Sequence, residues 1–282
     1  ATLDLTGSNV AFLLIKKLQT EQLGVDYKKF DGANAMAAMV TGTTQYNLRS
    51  LEIFYLPILN TKLGVIHSYL TQLRINDPLM GVLVDEAFMP VAERTVISEK
   101  ITSWLLDNLF ADIQKFRARN VEAEWFGVYI PIRILLKQDF LSEIIKQADK
   151  NNVSVKDICL CLNKKVLYED NSKIMEILTK AKNEGIKSMI LDFGDDFCPI
   201  SRISSIKTDY VYLSENIADS LISPKDEKRN TALALYKLLN ALNIEAITSS
   251  VKDDETAGNL PESCVLCTGK LAGNYRKPRS VR

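Results

Sequence analysis

From Leu51 onward one pattern recurs. A short, mainly apolar run is followed by a longer stretch with an apolar stripe at helical spacing. Residues 157–162 contain the run ICLCL, and residues 125–131, 187–193, 210–213, 244–249 and 264–266 are similar in kind. Between them, 138–148, 171–182 and 227–242 read as helices, with Gly185 placed where a left-handed cap ends the second. Ile97, Ile101, Trp104, Leu105, Leu109, Ile113 and Phe116 form a further stripe. A strand that is apolar at every position has both faces covered, so the pattern predicts a mostly parallel sheet under helices. Counted from Leu51, the strands number about eight. A TIM-type (β/α)8 barrel fits better than an open doubly wound sheet. No GxGxxG follows a strand, so a dinucleotide fold has no support.

Residues 51–74, LEIFYLPILNTKLGVIHSYLTQLR, depart from this rhythm and read as two strands joined by a turn. Leu51, Ile53 and Tyr55 alternate with Glu52, Phe54 and Leu56. Pro57 is expected to end or edge the first strand. Asn60 to Gly64 carries the turn chemistry. Val65, His67, Tyr69, Thr71 and Leu73 are expected on one face of the second strand.

The 282 residues carry 35 basic and 35 acidic side chains, a balance that gives no bulk attraction to nucleic acid or an anionic membrane. No apolar run reaches the roughly 18 residues of a membrane span. Five cysteines in a chain this long do not make a disulfide framework, and reduced thiols in a cytoplasmic setting are expected. Cys264 and Cys267 have CxxC spacing and Cys159 and Cys161 form a second pair, but apolar strand contexts favour small core residues over zinc ligands. His67 is the only histidine, and no triad pattern surrounds it. Residues 1–47 read as a helical lead-in or the tail of an upstream domain, with helices over 10–23 and 31–39. The remainder, 48–282, reads as the barrel.

The segment Tyr55-Leu56-Pro57-Ile58, followed by Gly64, Leu73 and Arg74, resembles the opening of the EAL family, whose strand ending Tyr-Gln-Pro-Ile leads to Glu-Ala-Leu-Leu-Arg. The run from Gly81 through Phe88, Pro90, Ala92 and Glu93 also resembles that family, with Asp85 where its proline stands. Asp192-Phe193-Gly194 adds a third point. The resemblance covers residues 48–272 and implies a (β/α)8 barrel linked to cyclic di-GMP.

The same resemblance implies that the family's phosphodiesterases hold two Mg2+ or Mn2+ ions through carboxylates and an asparagine, oxygen ligands that suit hard cations. At the matching positions this chain has Leu70 for a glutamate, Tyr129 for the asparagine, Cys161 and Lys164 for carboxylates, and Leu191 for an aspartate. Tyr212 and Ser214 replace Lys and Asp, while Ser249 and Lys252 replace two glutamates, one a general base. Thr268 stands for a glutamine. Asp192 survives, and with Asp195 or Asp196 is expected to cap a loop. No catalytic residue and no metal site are expected. Arg74 matches an arginine that contacts phosphate, so Arg74 and Asp192 are the residues left for nucleotide binding, although Leu56 replaces a binding glutamine. A strand-end ion pair is the plainer role for Arg74.

The function expected is a non-enzymatic signalling or regulatory module that works by binding another protein, without a cofactor. The alternative is a cyclic di-GMP receptor that binds without hydrolysis. The third reading is an active phosphodiesterase. Homodimerisation through the region after residues 192–194 is a family property, but 198–206 departs too far to carry it over.

Overall fold

The computed structural model describes residues 48, 51–77, 81–94, 96–168, 171–194, 198–224 and 227–281. The helices expected over 10–23 and 31–39, and the residues Asp195 and Asp196, lie outside them. Two compact units divide the chain: a larger one of 54–71 and 106–282, and a smaller one of 1–53 and 72–105.

The strands are β1 (Leu51–Asn60), β2 (Val65–Asp77), β3 (Gly81–Val84), β4 (Phe126–Tyr129), β5 (Ile158–Asn163), β6 (Lys187–Phe193), β7 (Tyr210–Leu213), β8 (Glu245–Thr248) and β9 (Leu266–Cys267). Their order is β1-β9-β8-β7-β6-β5-β4-β2-β3, and β1 also pairs with β2. That last pairing closes an eight-stranded barrel, the α/β barrel expected from the pattern. The neighbours from β2 through β4 to β9 are parallel, and β1 runs against β9. The hairpin at 51–74 thus supplies the one reversed strand.

Its turn is held by Asn60, whose Oδ1 accepts the amides of Lys62 and Leu63 at 3.1 Å each, and by Gly64 at φ 68°. Leu51, Ile53 and Tyr55 are buried in alternation, as expected. Pro57 does not end the strand: β1 runs on to Asn60. On the side facing β9 its pairings are Tyr55 with Arg276 and then Leu59 with Cys267, so Pro57 falls where no amide is asked for. In β2 the expected alternation blurs. Ser68 and Tyr69 are both buried and Val65 is exposed, because a barrel strand is covered on both faces and its tip on neither.

The helices are α1 (Asp85–Ala92), α2 (Ile97–Arg117), α3 (Ile132–Leu135), α4 (Phe140–Lys150), α5 (Asn171–Asn183), α6 (Glu215–Ile222), α7 (Arg229–Ala241) and α8 (Asp254–Gly258). On α2 the buried stripe is Ile97, Ile101, Leu105, Leu109, Ile113 and Phe116. After α5, Gly185 takes φ 84°. Its amide bonds Lys182 O at 3.0 Å and the Ile186 amide bonds Ala181 O at 2.9 Å, the paired bonds of a left-handed cap. On α7 Ala232, Leu235, Tyr236 and Leu239 are buried and Leu238 is exposed. α3, α6 and β3 have no counterpart in the sequence reading; each is short and carries too few apolar positions to show a period. Residues Asn76 and Asp77 belong to β2 and pair with Val82 and Gly81.

Inside the larger unit, Ile58, Trp125, Cys159, Cys161, Met189, Tyr210, Ile247 and Leu266 form the barrel interior. Outside it, Phe126 stacks on Tyr69 (5.7 Å) and on Phe116 (5.4 Å), and Tyr55 meets Phe116 edge-on at 5.0 Å. The Tyr55 hydroxyl donates to Asp112 Oδ2 at 3.0 Å, and Lys115 bonds the other carboxylate oxygen at 2.8 Å. Burial and then the Asp112 charge raise the Tyr55 phenol well above its ordinary value.

In the smaller unit α1 begins at Asp85, whose Oδ2 accepts the Leu73 amide at 3.1 Å. Gln72 Nε2 reaches Glu86 Oε1 at 3.4 Å, and Arg74 Nε donates to Gln72 Oε1 at 2.9 Å. Burial, then the hydrogen bond and charge of Glu86, push the Asp85 carboxyl from 3.8 up to about 8. The folded chain therefore keeps a proton that the unfolded chain has released, and this group's contribution, complete at acid pH, is lost as pH rises towards 8. Asp85→Asn keeps an acceptor for the Leu73 amide and cannot ionise. It should be more stable than the parent at pH 8 by at least about 1 kcal/mol, with the gap closing towards pH 4. Urea unfolding at both pH values checks this, and an equal gap at both would refute it.

Candidate functional site

In a parallel barrel the strands' C-terminal ends converge on one mouth, where side chains from several strands can meet. The residues singled out from the sequence lie there. Leu70 is on β2, Tyr129 ends β4, Cys161 is on β5, Leu191 and Asp192 are on β6, and Tyr212 is on β7. Ser214 follows β7, Ser249 and Lys252 follow β8, and Thr268 follows β9.

The structure brings several of them together. Leu70, Leu191 and Tyr212 pack against the interior cluster, of which Cys161 is itself a member. Tyr129 sits opposite Cys161 in the β4–β5 register. The space between Leu70 and Cys161 exists because residue 127 is glycine: a Cβ there would lie 2.6 Å from Leu70 Cδ2 and 2.8 Å from Cys161 Sγ. Sequence reading passed over Gly127, and its place inside an otherwise bulky strand was the available signal.

One polar pair crosses this apolar layer. Tyr212 Oη and Thr268 Oγ1 lie 2.7 Å apart. Burial raises the Tyr212 phenol, the Thr268 contact opposes the rise, and the carboxylates of Asp192 and Glu215 reinforce it. Asp192 itself is exposed, at φ 53°, and Gly194 follows at φ 91°. Asp192 lies within β6, where the register with β7 shifts between Ile190 and Phe193. Ser214 is buried, and among the described residues its Oγ has no hydrogen-bond partner; the Oγ of Ser249 is likewise buried and unpartnered there.

Lys252 is exposed and precedes α8, where Asp253 and Thr256 cap each other reciprocally. Lys164 opens a 3-10 turn capped by Asn163, at the end of β5. Arg74 belongs to the smaller unit and donates to Gln72. Leu56 is half-buried on β1.

The thiols behave as core groups. Cys159, Cys161, Cys264 and Cys267 are buried and unbridged, and Cys198 is half-buried. Burial pushes Cys264 up to about 11 and Cys267 to about 12. His67 has a neighbour the sequence reading discounted, since Ser68 Oγ lies 2.8 Å from its Nδ1. That hydroxyl is fully buried, and the His67 ring meets Trp125 and Tyr210 at 6.0 and 6.4 Å. Burial lowers the His67 pKa against the pull of Glu245 and Glu124. Among the described residues no group of three or more His, Cys, Asp or Glu side chains gathers as a metal would require, and no helix is long and apolar enough to cross a membrane.

An eight-stranded barrel with one reversed strand, fed by a hairpin, defines an EAL-type fold, and comparison with known proteins agrees. The family model for the EAL domain matches residues 43–271, and the chain belongs to that family. A cyclic di-GMP phosphodiesterase of Pseudomonas aeruginosa is 20% identical over 206 residues, covering 73% of this chain and 35% of that protein. The chain thus spans about a third of the length of that curated relative. Among solved structures, the EAL enzyme Bd1971 with cAMP and cyclic di-GMP bound is similar with a TM-score of 0.78 at 19% identity, covering 95% of this chain and 72% of that one. The EAL domain of FimX from Pseudomonas aeruginosa bound to cyclic di-GMP gives 0.72 at 14% identity, covering 86% and 96%. At these identities the structural likeness speaks for the fold.

Proposed function

We propose that this EAL domain is a non-enzymatic signalling module that acts by binding another protein, in a bacterial cytoplasmic pathway that uses cyclic di-GMP. One observation carries the reading. Leu70, Cys161, Leu191 and Tyr212 fill the barrel end with hydrocarbon, sulfur and phenol where the family's hydrolytic members are expected to present oxygen ligands. Paired Mg2+ or Mn2+ ions demand several carboxylate or carbonyl oxygens around each ion. Asp192, exposed beside Tyr212, is one carboxylate, and the donor set does not fit a metal pair. The framework is retained while the reactive groups are changed, which suits a domain kept for recognition.

Incubation of the whole chain with cyclic di-GMP and Mg2+ or Mn2+ should yield no linear dinucleotide, and turnover above a no-protein control would overturn the reading. Recovery of a partner with the whole chain and with 48–282 alone tests whether residues 1–47 take part. Equal recovery removes them.

The second reading is a receptor that binds cyclic di-GMP without cleaving it. It is supported by the similar FimX and Bd1971 structures, which carry that ligand, and by Arg74, held towards the end of β2 by Gln72. Calorimetric titration without metal decides between the two. Micromolar affinity that is lost in Arg74→Ala favours the receptor.

A further inference from the structure

Among the described residues, the buried hydroxyls of Ser214 and Ser249 at the barrel end have no hydrogen-bond partner. In the β7–β8 register Tyr210 pairs with Glu245, Val211 with Ala246 and Tyr212 with Ile247. Carried two residues on, that register sets Ser214 beside Ser249. Side chains alternate along a strand, so the face that sends Tyr212 and Ile247 to the interior cluster also receives Ser214 and Ser249. Adjacent strands lie about 4.8 Å apart, a spacing at which one oxygen atom can accept from both hydroxyls, and neither hydroxyl bonds the other. A buried hydroxyl left without a partner is costly, and such orphans mark a place where something else belongs.

A third donor set begins at Ser214. Ser214 is the N-cap of α6, an eight-residue helix, yet its side chain makes no capping bond. The amides of the first turn of α6 have no acceptor within the helix, and its dipole favours negative charge there. The carboxylates of Asp192 and Glu215, close enough to press on Tyr212, oppose a second negative charge. The donors and the charges together select a singly charged acceptor.

We propose that Ser214 and Ser249, with the first turn of α6, form a metal-free subsite for one oxygen of a singly charged oxyanion, of the phosphodiester or carboxylate kind. The subsite rests on the reading that no metal pair occupies this end of the barrel. The hydroxyls donate directly to the ligand, in place of an ion that would bridge ligand and protein.

The test is titration of the isotope-labelled whole chain, followed by NMR, with dimethyl phosphate, acetate and, at pH 8, inorganic phosphate, each with and without Mg2+. Saturable shifts are expected at the amides of Ser214, Glu215 and Ser249 with dimethyl phosphate or acetate in the absence of metal, and weaker ones with the dianionic phosphate. Ser214→Ala and Ser249→Ala should each weaken binding at least tenfold. Both should melt no lower than the parent, since each removes a hydroxyl that is unpartnered without ligand. No saturable shift under any condition, or undiminished binding in both variants, overturns the subsite while leaving the proposed function standing. Binding that appears only with Mg2+ overturns both.

Discussion

Gly269→Ala should unfold far more readily than the parent, losing about 3 kcal/mol of stability. Gly269 has φ 125°, a backbone conformation that side chains avoid. A methyl group there would lie 2.5 Å from the carbonyl oxygen of Val251 and 2.6 Å from its amide nitrogen. Neither is a flexible tip. The Val251 amide is bonded to Thr268 O at 3.1 Å, and Val251 O accepts the Leu271 amide at the same distance. The strain and the clash therefore add, and relief requires the crossing after β8 to move away from the crossing after β9. Equilibrium denaturation gives the number, and a loss below about 1 kcal/mol would show that the two backbones separate cheaply. Thr268 next door carries the hydroxyl that meets Tyr212, so the variant should also broaden signals from that pair.

Trp125→Ala should cost about 4 kcal/mol. Trp125 heads the largest fully buried side chains, and it sits in the barrel interior with Met189, Tyr210 and Cys159. Its ring lies 5.0 Å from Tyr210 and 6.0 Å from His67. The surrounding strands are tied by their ladders and cannot collapse into the space, so the loss combines transfer and cavity terms. Trp125→Phe refills most of the volume, so it should recover at least half of the loss. Denaturation of the two variants side by side checks this, and equal losses would mean that volume is not what Trp125 supplies.

Much of the barrel could be read from residue order because parallel strands buried on both faces are apolar at every position. ICLCL in β5 is the plainest case. Gly185 was legible for a similarly local reason, since a left-handed cap has few residues to choose from. What the residues hid is non-local. The length of β1 beyond Pro57 depends on which partner strand asks for an amide at that point, and the partner residues follow some two hundred positions later in the chain. β3 and α6 are too short for a period. At the candidate site, individual replacements such as Leu70 and Cys161 could be named in advance through family resemblance, but their packing into one layer around Gly127 could not. The pairing of Ser214 with Ser249 needed the β7–β8 register. Serine in a loop is ordinary until its hydroxyl is found buried and unbonded.

The ring is completed by its first strand meeting its last: Leu59 against Cys267, and Tyr55 exchanging two backbone bonds of 2.8 Å with Arg276. During synthesis these partners emerge far apart in time. Until the tail of the chain arrives, β1 and β8 each present an unsatisfied ladder edge, and such edges recruit other chains. Contacts so distant in sequence also slow closure. The nascent domain is therefore most vulnerable to misassociation just before residues 264–276 leave the ribosome, and most of its protection comes at once, when β9 slots in.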